Sequence, residues 1–462
     1  MILNLRSIIF LTLGMWCSTC GYAQLRISRV DVKKWVQQNF TGQGIVVGEI
    51  KFKGNPLAVG AFTNQNNVLQ LKKGLVISTG LADYVAGPNN KYNQTYPFSD
   101  AERDADLQPL VKPGLYDVSV IEFDFVPLAN SIQFNYQFGS EEYPEYVGST
   151  YNDIFAFFVS DEKTKKNIAL IPGKNIPVSI NTVNHQSGTE YFLENNVFSS
   201  ALINRGASLT TAKRKRGIFS SIRKGIKSVF SSQKAEEADL SSQYIDPALL
   251  KKVNPIMYKY LQFDGITKKL AAQMYVTPYS KYHLKIIIAD VADNIYDSGV
   301  FLEDRSLFAQ RDTMQPGFTE YPDLSKLVDL KQILAGKKLE DLLPDTVYLE
   351  EANIYFDFDK SDIPIPELKK LKSITSTYDR VKNKYTMRVA GHTDSIGNLS
   401  YNMALSRRRN QSVMHALQEL RLIDSPIEIT EDAFLKPAAK NDTDEGRTKN
   451  RRVQIFFVKK DN

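Results

Sequence analysis

Alternation of apolar and polar side chains is the feature that most restricts the fold of this chain. It recurs from about residue 27 to residue 308, most clearly at Ile132, Phe134, Tyr136 and Phe138. A period of two places every second side chain on one face of a β-strand. Similar runs occupy residues 120–126, 154–159 and 282–288, with turn residues between them and no long helical pattern. We therefore predict an all-β antiparallel sandwich, jelly-roll-like, over residues 24–308.

A different pattern begins at Val347. Period-two residues at 354, 356 and 358 precede a helical spacing at 368, 371, 374 and 378, where Pro366 suits a first helical turn. A second strand (residues 385–389), a second helix (413–420) and two closing strands (427–429 and 453–457) follow. The order predicts a separate α/β domain, βαβαββ, over residues 345–462, so the chain is multidomain.

The N-terminus has the character of an export signal. Arg6 precedes an apolar run from Ile8 to Trp16, and the small residues Gly21 and Ala23 follow. This pattern predicts a signal peptide over residues 1–23, cleaved before Gln24. The run is too short for a permanent membrane helix, and no later stretch reaches the roughly 20 apolar residues that one needs. Export to the periplasm, with no helical membrane anchor, is the expected consequence.

Both cysteines of the chain, Cys17 and Cys20, lie within this leader. Cleavage would leave a mature chain without thiols, which excludes disulfides. Lipidation needs a small residue before the modified cysteine, whereas Trp16 and Thr19 occupy those positions. The formal net charge of +6 is small for 462 residues and gives no general case for nucleic-acid binding.

Three segments of the C-terminal region carry a family resemblance. The sequences "IYFDFDKSDI", "GHTDSIGNLSYNMALSRRRNQSV" and "NDTDEGRTKNRRV" are similar, in order and spacing, to the OmpA-like peptidoglycan-binding family over about residues 345–460. Several separated motifs in the right order are more specific than one short motif. The resemblance implies that this domain binds the diaminopimelate of the peptidoglycan stem peptide without cleaving it.

Such a ligand presents both an ammonium and a carboxylate, so an acid and an arginine facing them make two charge-assisted contacts. The resemblance assigns these roles to Asp394 and Arg409. Arg409 follows Ser406 by three residues, and we expect Ser406 to be a helix N-cap. Free backbone amides and the helix dipole would then assist the carboxylate contact.

The same resemblance assigns secondary contacts or pocket walls to Thr393, Asn402, Leu405, Phe358 and Asp359. The alternative for Asp359, Asn402 and the run 450–452 is that they hold turns and loops by hydrogen bonds.

Two departures from the family pattern concern the pocket rim rather than its charges. Asn410 stands where alanine is usual, and "EDAFLKPAA" lacks the glycines common before the proline.

The N-terminal region resembles the choice-of-anchor L family of secreted bacterial ectodomains. The resemblance rests on "GLVISTGLADYVAGPNN", "IEFDFVPLANSIQFNYQFGSEEYPEYVGSTYNDIFAFFVS", "NIALIPGKNIPVSINTVN" and "YHLKIIIADVADNIYDSGVFLE". It implies no known reaction, but it implies a variable C-terminal attachment, which the OmpA-like domain would supply.

Acidic residues in this region predict hard oxygen ligands. Two blocks, if they meet in space, would suit calcium: Glu141, Glu142 and Asp153, and Asp290, Asp293 and Asp297. The alternative is that these acids are solvated or cap turns. A glycosidase pair that includes Glu141 or Glu142 is a further reading, but sequence alone fixes no carboxylate separation.

Residues of about 196–255 interrupt the pattern as a basic, serine-containing insertion. Apolar positions at helical spacing within residues 213–230 would form a basic amphipathic helix suited to peripheral contact with anionic lipid or an acidic partner. The alternative is a surface loop packed on its own domain. Residues 309–344 are predicted to be a linker with one short helix.

Two functions from different classes follow. The first is a non-enzymatic cell-wall-bound envelope protein, associated with the outer membrane or an envelope partner, which needs no cofactor. The alternative is an envelope hydrolase that uses the N-terminal carboxylates, or His392 as a base near Asp394, with the OmpA-like domain as its wall-targeting module. Because His392 lies among residues of a binding family and the chain has no nucleophile elbow or zinc-type histidine pair, the non-enzymatic function is favoured.

Overall fold

A computed structural model of the chain describes residues 25–65, 67–89, 94–98, 103–111, 114–144, 146–149, 152–195, 254–292, 295–315, 323–419 and 427–460. The predicted signal peptide, nearly all of the basic insertion with its segment 213–230, and Asp293 lie outside these residues.

The described residues form strands in two groups, separated by helical segments. The strands are β1 (Leu25–Ser28), β2 (Ile45–Lys53), β3 (Val59–Asn64), β4 (Lys73–Ser78), β5 (Leu115–Pro127), β6 (Ser131–Ser140), β7 (Ile154–Ser160), β8 (Lys165–Asn167), β9 (Phe192–Glu194), β10 (Gly265–Thr267), β11 (Leu270–Tyr275), β12 (Tyr282–Val291), β13 (Ser298–Glu303), β14 (Phe308–Gln310), β15 (Thr346–Tyr355), β16 (Tyr385–His392), β17 (Glu428–Ala433) and β18 (Arg452–Lys459). The α-helices are α1 (Val32–Trp35), α2 (Pro255–Tyr260), α3 (Leu330–Leu334), α4 (Leu339–Leu342), α5 (Ile365–Val381), α6 (Leu399–Glu419) and α7 (Asp444–Asn450).

The N-terminal region is a sandwich of two antiparallel sheets, as predicted. One sheet has nine strands, in the order β1-β3-β4-β13-β6-β10-β9, with β11 and β14 also paired to β6. The other has five strands, in the order β2-β5-β12-β7-β8. The four runs with period-two alternation lie in β5, β6, β7 and β12.

Aromatic side chains from both sheets fill the space between them. Phe134 of β6 meets Phe157 of β7 edge to face, with ring centroids 4.9 Å apart, and Phe138 stacks on Phe155 at 4.6 Å. These rings are almost completely buried. The alternation read from the sequence therefore marks the faces that pair across the sandwich.

The C-terminal domain has the predicted α/β fold. Its sheet runs β15-β18-β16-β17, with β16 and β17 parallel and the other pairs antiparallel. Helices α5 and α6 bury Leu371, Ile374, Val413 and Leu417 against it. Pro366 lies in the first turn of α5. The short helix α7 was not predicted; Thr443 caps it by accepting a hydrogen bond from the Gly446 amide.

The prediction of a linker with one short helix was wrong. Residues 323–345 contain two short helices, α3 and α4, and they pack instead of extending as a spacer. Ile333 and Leu339 belong to one buried cluster that includes Val126 and Tyr279 of the sandwich and Tyr385 of the C-terminal domain. Because apolar side chains from both sides converge on this segment, it joins the two domains through a common core.

Among the described residues, no helix combines the length and the apolar character required to cross a bilayer.

Candidate ligand-binding site

Asp394 follows the C-terminal end of β16, where the sequence predicted a site. Its carboxylate accepts a hydrogen bond from the Ile396 amide at 3.2 Å, which fixes a turn after the strand. Asp394 is only 4 % exposed. A buried carboxylate is costly to the fold unless a cation or a hydrogen-bond donor contacts it.

Arg409 is buried beside it, with no exposed surface. Its Nε, Nη1 and Nη2 atoms donate to the backbone carbonyls of Lys360, His392 and Asp357 at 2.8, 2.9 and 3.1 Å. The guanidinium also lies 5.1 Å from the ring centroid of Phe356. Three bonds use three of the five N–H groups of a guanidinium. The remaining two, one on each terminal nitrogen, match the two oxygens of a carboxylate.

The electrostatics confirm that Asp394 and Arg409 are neighbours. Burial lowers the pKa of Arg409 to about 10, and the negative charge of Asp394 opposes that shift. Arg409 therefore remains a cation at neutral pH. The structure brings the two predicted residues together on one side of the domain.

The expectation that Ser406 caps a helix was wrong. Helix α6 begins at Leu399, and the Asn398 side chain accepts a hydrogen bond from the Tyr401 amide. Ser406 lies in the middle of the helix, and its hydroxyl donates to the Met403 carbonyl. Arg409 is therefore far from the first turn, so its site lacks free helix amides. Backbone carbonyls hold the guanidinium instead.

Arg451 is the direct partner of Asp394, a role that the sequence did not indicate. Its Nη1 lies 3.2 Å from Asp394 Oδ2, its Nε donates to the Phe356 carbonyl and its Nη2 donates to Thr448 Oγ1. The sequence placed Arg451 in a run with equal structural and functional readings. The signal for this contact was the basic residue before β18, but locating it required the pairing of β18 with β15 and β16.

The secondary residues fall into two groups. Thr393, directly before Asp394, and Leu405 of α6 are both buried, and the Thr393 hydroxyl has no hydrogen-bond partner among the described residues. Phe358 is 55 % exposed on the rim, and Asp359 accepts a hydrogen bond from Tyr401.

Asn402 holds a loop by hydrogen bonds, which was the alternative to a role in ligand contact. Its side chain donates to the carbonyls of Ile396 and Asn398, which closes the loop before α6. Asn450 likewise accepts from the amides of Ala438 and Ala439 and orders the loop before α7.

His392 is a poor candidate for a hydrolytic base. It is 2 % exposed, and burial together with the charge of Arg452 lowers its pKa to about 4. Neither ring nitrogen has a hydrogen-bond partner among the described residues. A neutral, enclosed and weakly basic imidazole does not suit proton abstraction from a substrate.

The two departures from the family pattern lie next to the site. Asn410 donates from its side chain to the Thr430 carbonyl at 2.8 Å, which ties α6 to β17. Within the segment "EDAFLKPAA", Ala433 has a left-handed backbone, with φ of 45°. Its carbonyl accepts from the Thr393 amide, so this strained position supports the strand end that carries Asp394.

The acidic residues of the sandwich lie at strand ends. Asp153 precedes β7, Asp290 is near the end of β12, and Asp297 precedes β13. Glu141 and Glu142 directly follow β6, and both are at most 3 % exposed. The reading of these acids as solvated residues was wrong, because all five are buried. Burial of Glu141 and Glu142 also gives no support to a glycosidase pair open to a polysaccharide.

Comparison with known families and proteins gives a family match for each of the two regions. The profile of the choice-of-anchor L domain matches residues 24–215 and 219–308, and that of the OmpA family matches residues 355–451. The "Outer membrane protein A" of Bordetella avium is 40 % identical over 107 residues, which cover 23 % of this chain and 55 % of that protein. The chain thus spans about half the length of that relative.

Two further similarities involve proteins of one type. The "Peptidoglycan-associated lipoprotein" of Buchnera aphidicola is 30 % identical over 120 residues, 26 % of this chain and 69 % of that protein. The crystal structure of the peptidoglycan-associated lipoprotein from Burkholderia pseudomallei aligns with 23 % of this chain and 89 % of that one, at 25 % identity and a TM-score of 0.22.

Since the first profile covers more than half of the sequence, this chain belongs to the choice-of-anchor L family, and its C-terminal domain is an OmpA-family domain.

Proposed function

We propose that this protein is a non-enzymatic component of the bacterial envelope that binds peptidoglycan through its C-terminal domain. The ligand is the diaminopimelate side chain of the stem peptide, held by charge pairing without bond cleavage. The domain thereby holds the choice-of-anchor L sandwich, a binding or assembly module, at the cell wall. The location is the periplasm, in association with the outer membrane.

The observation that carries this proposal is the shared, buried site of Asp394 and Arg409. The carbonyl contacts of Arg409 fix the plane of its guanidinium and leave two N–H groups for a carboxylate. Asp394 beside it supplies the opposite charge for an ammonium. One amino-acid zwitterion can therefore engage both residues, and the fixed guanidinium loses little entropy on binding.

Arg451 would compete with the ligand ammonium for the Asp394 carboxylate. Its Nη1 atom lies 3.2 Å from the Asp394 carboxylate and forms an ion pair with it. A ligand ammonium would take over that contact, and Arg451 would retain its bonds to Phe356 and Thr448. Because Asp394 and Arg409 are both enclosed, this displacement is the step that opens the site.

The names of the similar proteins support the location and the ligand class. They are an outer membrane protein and a peptidoglycan-associated lipoprotein. The enclosed His392 and the buried Glu141 and Glu142 support a non-enzymatic role.

Sedimentation with purified sacculi tests the proposal. The full chain should co-sediment with diaminopimelate-type sacculi, while Asp394→Asn and Arg409→Lys should each reduce the bound fraction at least tenfold. Loss of one charge-assisted contact in an enclosed site corresponds to that factor or more. Lysine-type sacculi, whose stem peptide lacks the second carboxylate, should bind weakly. Soluble muropeptides should not be released.

Arg407→Ala is the matched control. Arg407 lies on the same helix, is exposed, and pairs with Glu431 away from the site. It should leave binding unchanged. Circular dichroism of each variant separates lost binding from lost folding. Equal binding by both folded site variants would contradict the site, equal binding to lysine-type sacculi would contradict the ligand, and muropeptide release would indicate an enzyme.

A further inference from the structure

The sandwich concentrates buried carboxylates at one end, independently of the C-terminal site. Asp290 and Asp153 belong to the five-stranded sheet, and Asp297 begins the β13 region of the nine-stranded sheet. The strand pair Ala289–Ile154 places Asp290 and Asp153 side by side, and the charge of Asp297 acts on both of them. Both sheets therefore contribute acids to one point.

Mutual electrostatic effects confirm that these three groups are close. The charges of Asp153 and Asp297 both raise the pKa of Asp290, in addition to the larger effect of burial. Burial likewise raises the pKa of Asp153 and Asp297. Exposure of the three residues is 0 % for Asp290, 2 % for Asp153 and 4 % for Asp297.

Several oxygens of this cluster have no hydrogen-bond donor among the described residues. Asp290 lacks one at both oxygens, and Asp153 and Asp297 each lack one at Oδ2. Their other oxygens are occupied: Asp153 Oδ1 accepts from the Val291 amide at 3.4 Å, and Asp297 Oδ1 accepts from Thr95 Oγ1 at 3.1 Å. Four carboxylate oxygens of the three residues thus have no donor among the described residues.

No lysine, arginine or histidine of the described ranges forms an ion pair with these three aspartates. Each buried, uncompensated carboxylate carries a large desolvation cost. A proton on one acid supplies a donor for one neighbouring oxygen, whereas a divalent cation satisfies several oxygens at once. Four oxygens without donors in one cluster of buried carboxylates therefore favour a cation.

The surroundings are composed of oxygen donors. The side chains of Thr79 and Ser298 lie beside the carboxylates, and the Ser298 hydroxyl has no partner among the described residues. The Asp297 carboxylate lies directly against Gly80, where an added Cβ would be 1.6 Å from its Oδ2 atom, so only glycine permits this approach. An all-oxygen set with carboxylates and hydroxyls suits calcium rather than zinc.

Within the described residues, no three or more His, Cys, Asp or Glu side chains are already arranged as a metal-binding group. The carboxylates alone are thus not a finished shell. Calcium accepts six to eight ligands, including backbone carbonyls, hydroxyls and water. Side-chain rotation of the aspartates toward an ion, with these other oxygens, would complete the shell.

We propose that the strand ends bearing Asp153, Asp290 and Asp297 bind one calcium ion that joins the two sheets of the sandwich. This site is separate from the proposed peptidoglycan site.

Calorimetric titration of the chelator-treated full chain with CaCl₂ tests the proposal, followed by thermal melting. We expect one binding event. At a free calcium concentration about 100-fold above Kd, the sandwich transition should rise by about 5–10 °C. Mg²⁺ at the same concentration should have a smaller effect, because it demands strict octahedral geometry.

Asp290→Asn separates ion binding from a merely structural role. In chelator this variant removes one of three mutually repelling carboxylates, so it should melt at or above the wild-type temperature. In calcium it should lose the binding heat and the increase in Tm. Asp161→Asn is the control, since Asp161 is an exposed turn residue whose hydrogen bonds to amides asparagine can retain. It should keep both.

Three outcomes overturn the proposal. The first is no binding heat and no change in Tm with calcium for the wild type, which would indicate shared protons instead. The second is an unaltered calcium response in Asp290→Asn, which would place the ion elsewhere. The third is loss of the calcium binding heat and of the rise in Tm in the control variant Asp161→Asn as well.

Discussion

The two regions of this protein bury charge in opposite ways. In the C-terminal domain, Arg409 is enclosed but donates to three backbone carbonyls and has Asp394 as a neighbour. In the sandwich, Asp290 is equally enclosed and neither of its oxygens has a donor among the described residues. A buried charge with its hydrogen bonds formed stabilises the fold around it, whereas one without them requires a ligand or a proton. Groups of the protein itself meet the first charge, whereas the described residues supply no such partner to the second.

Replacement of Arg409 by an apolar residue should have the largest effect. We expect Arg409→Met to lower the free energy of unfolding of the C-terminal domain by about 3–5 kcal/mol, because three buried carbonyls lose their donor. Urea unfolding of the full chain, monitored at the C-terminal transition, measures this. Asp290→Asn in chelator should not destabilise the sandwich. Similar losses in both variants would remove the contrast.

His392 should make the C-terminal domain sensitive to acid. Its pKa is about 4 in the folded domain against 6.5 for the free side chain, so between these values the unfolded chain binds the extra proton. Stability from this group is fully present above about pH 6.5 and is lost as the pH falls to about 4, by roughly 3 kcal/mol.

Urea midpoints across this pH range test that expectation. His392→Asn should have a flatter profile, while the exposed His415→Asn should retain the wild-type slope. Identical slopes in wild type and His392→Asn would show that other groups cause the acid sensitivity.

The smallest effect concerns the backbone beside the proposed peptidoglycan site. Ala433 has a positive φ, which costs an L-residue about 1 kcal/mol or more. Ala433→Gly should therefore stabilise the domain by about 1 kcal/mol, measured as a higher urea midpoint. Ala390→Gly, within the regular strand β16, should destabilise by about 0.5–1 kcal/mol. The same sign for both would show that backbone strain is not the cause.

Positive φ in the sandwich need not carry the same cost. Asp117 has φ of 51°, but aspartate tolerates this region better than alanine does. Ala292, directly after β12, also has a positive φ, of 77°, so strain of this kind at an alanine is not confined to the C-terminal domain.

Much of the fold was predictable because its signals are local. Period-two alternation found β6 and β7, and helical spacing found α5. The acidic residues were also visible, but their convergence depends on which strand ends meet, and strand order is not encoded in any short segment. Likewise, Asp394 and Arg409 were found through motifs, whereas Arg451 reaches Asp394 from 57 residues further along the chain.

Other errors had physical causes as well. Ser406 looked like an N-cap because serine often has that role, but Asn398 starts the helix two turns earlier. The polar lysines of residues 324–343 suggested a spacer, while the few leucines and isoleucines among them determine the packing.

The packed connection between the domains has a mechanical consequence. Leu334 of α3 lies against Gly48 of β2, where an added Cβ would be 3.5 Å from its Cδ2 atom, and Tyr279 accepts a hydrogen bond from the Leu324 amide. A packed connection of this kind resists rotation of one domain against the other, whereas an extended flexible linker would allow it. If the C-terminal domain binds murein, the sandwich would then be held at a fixed angle to the cell wall and at a fixed distance from it.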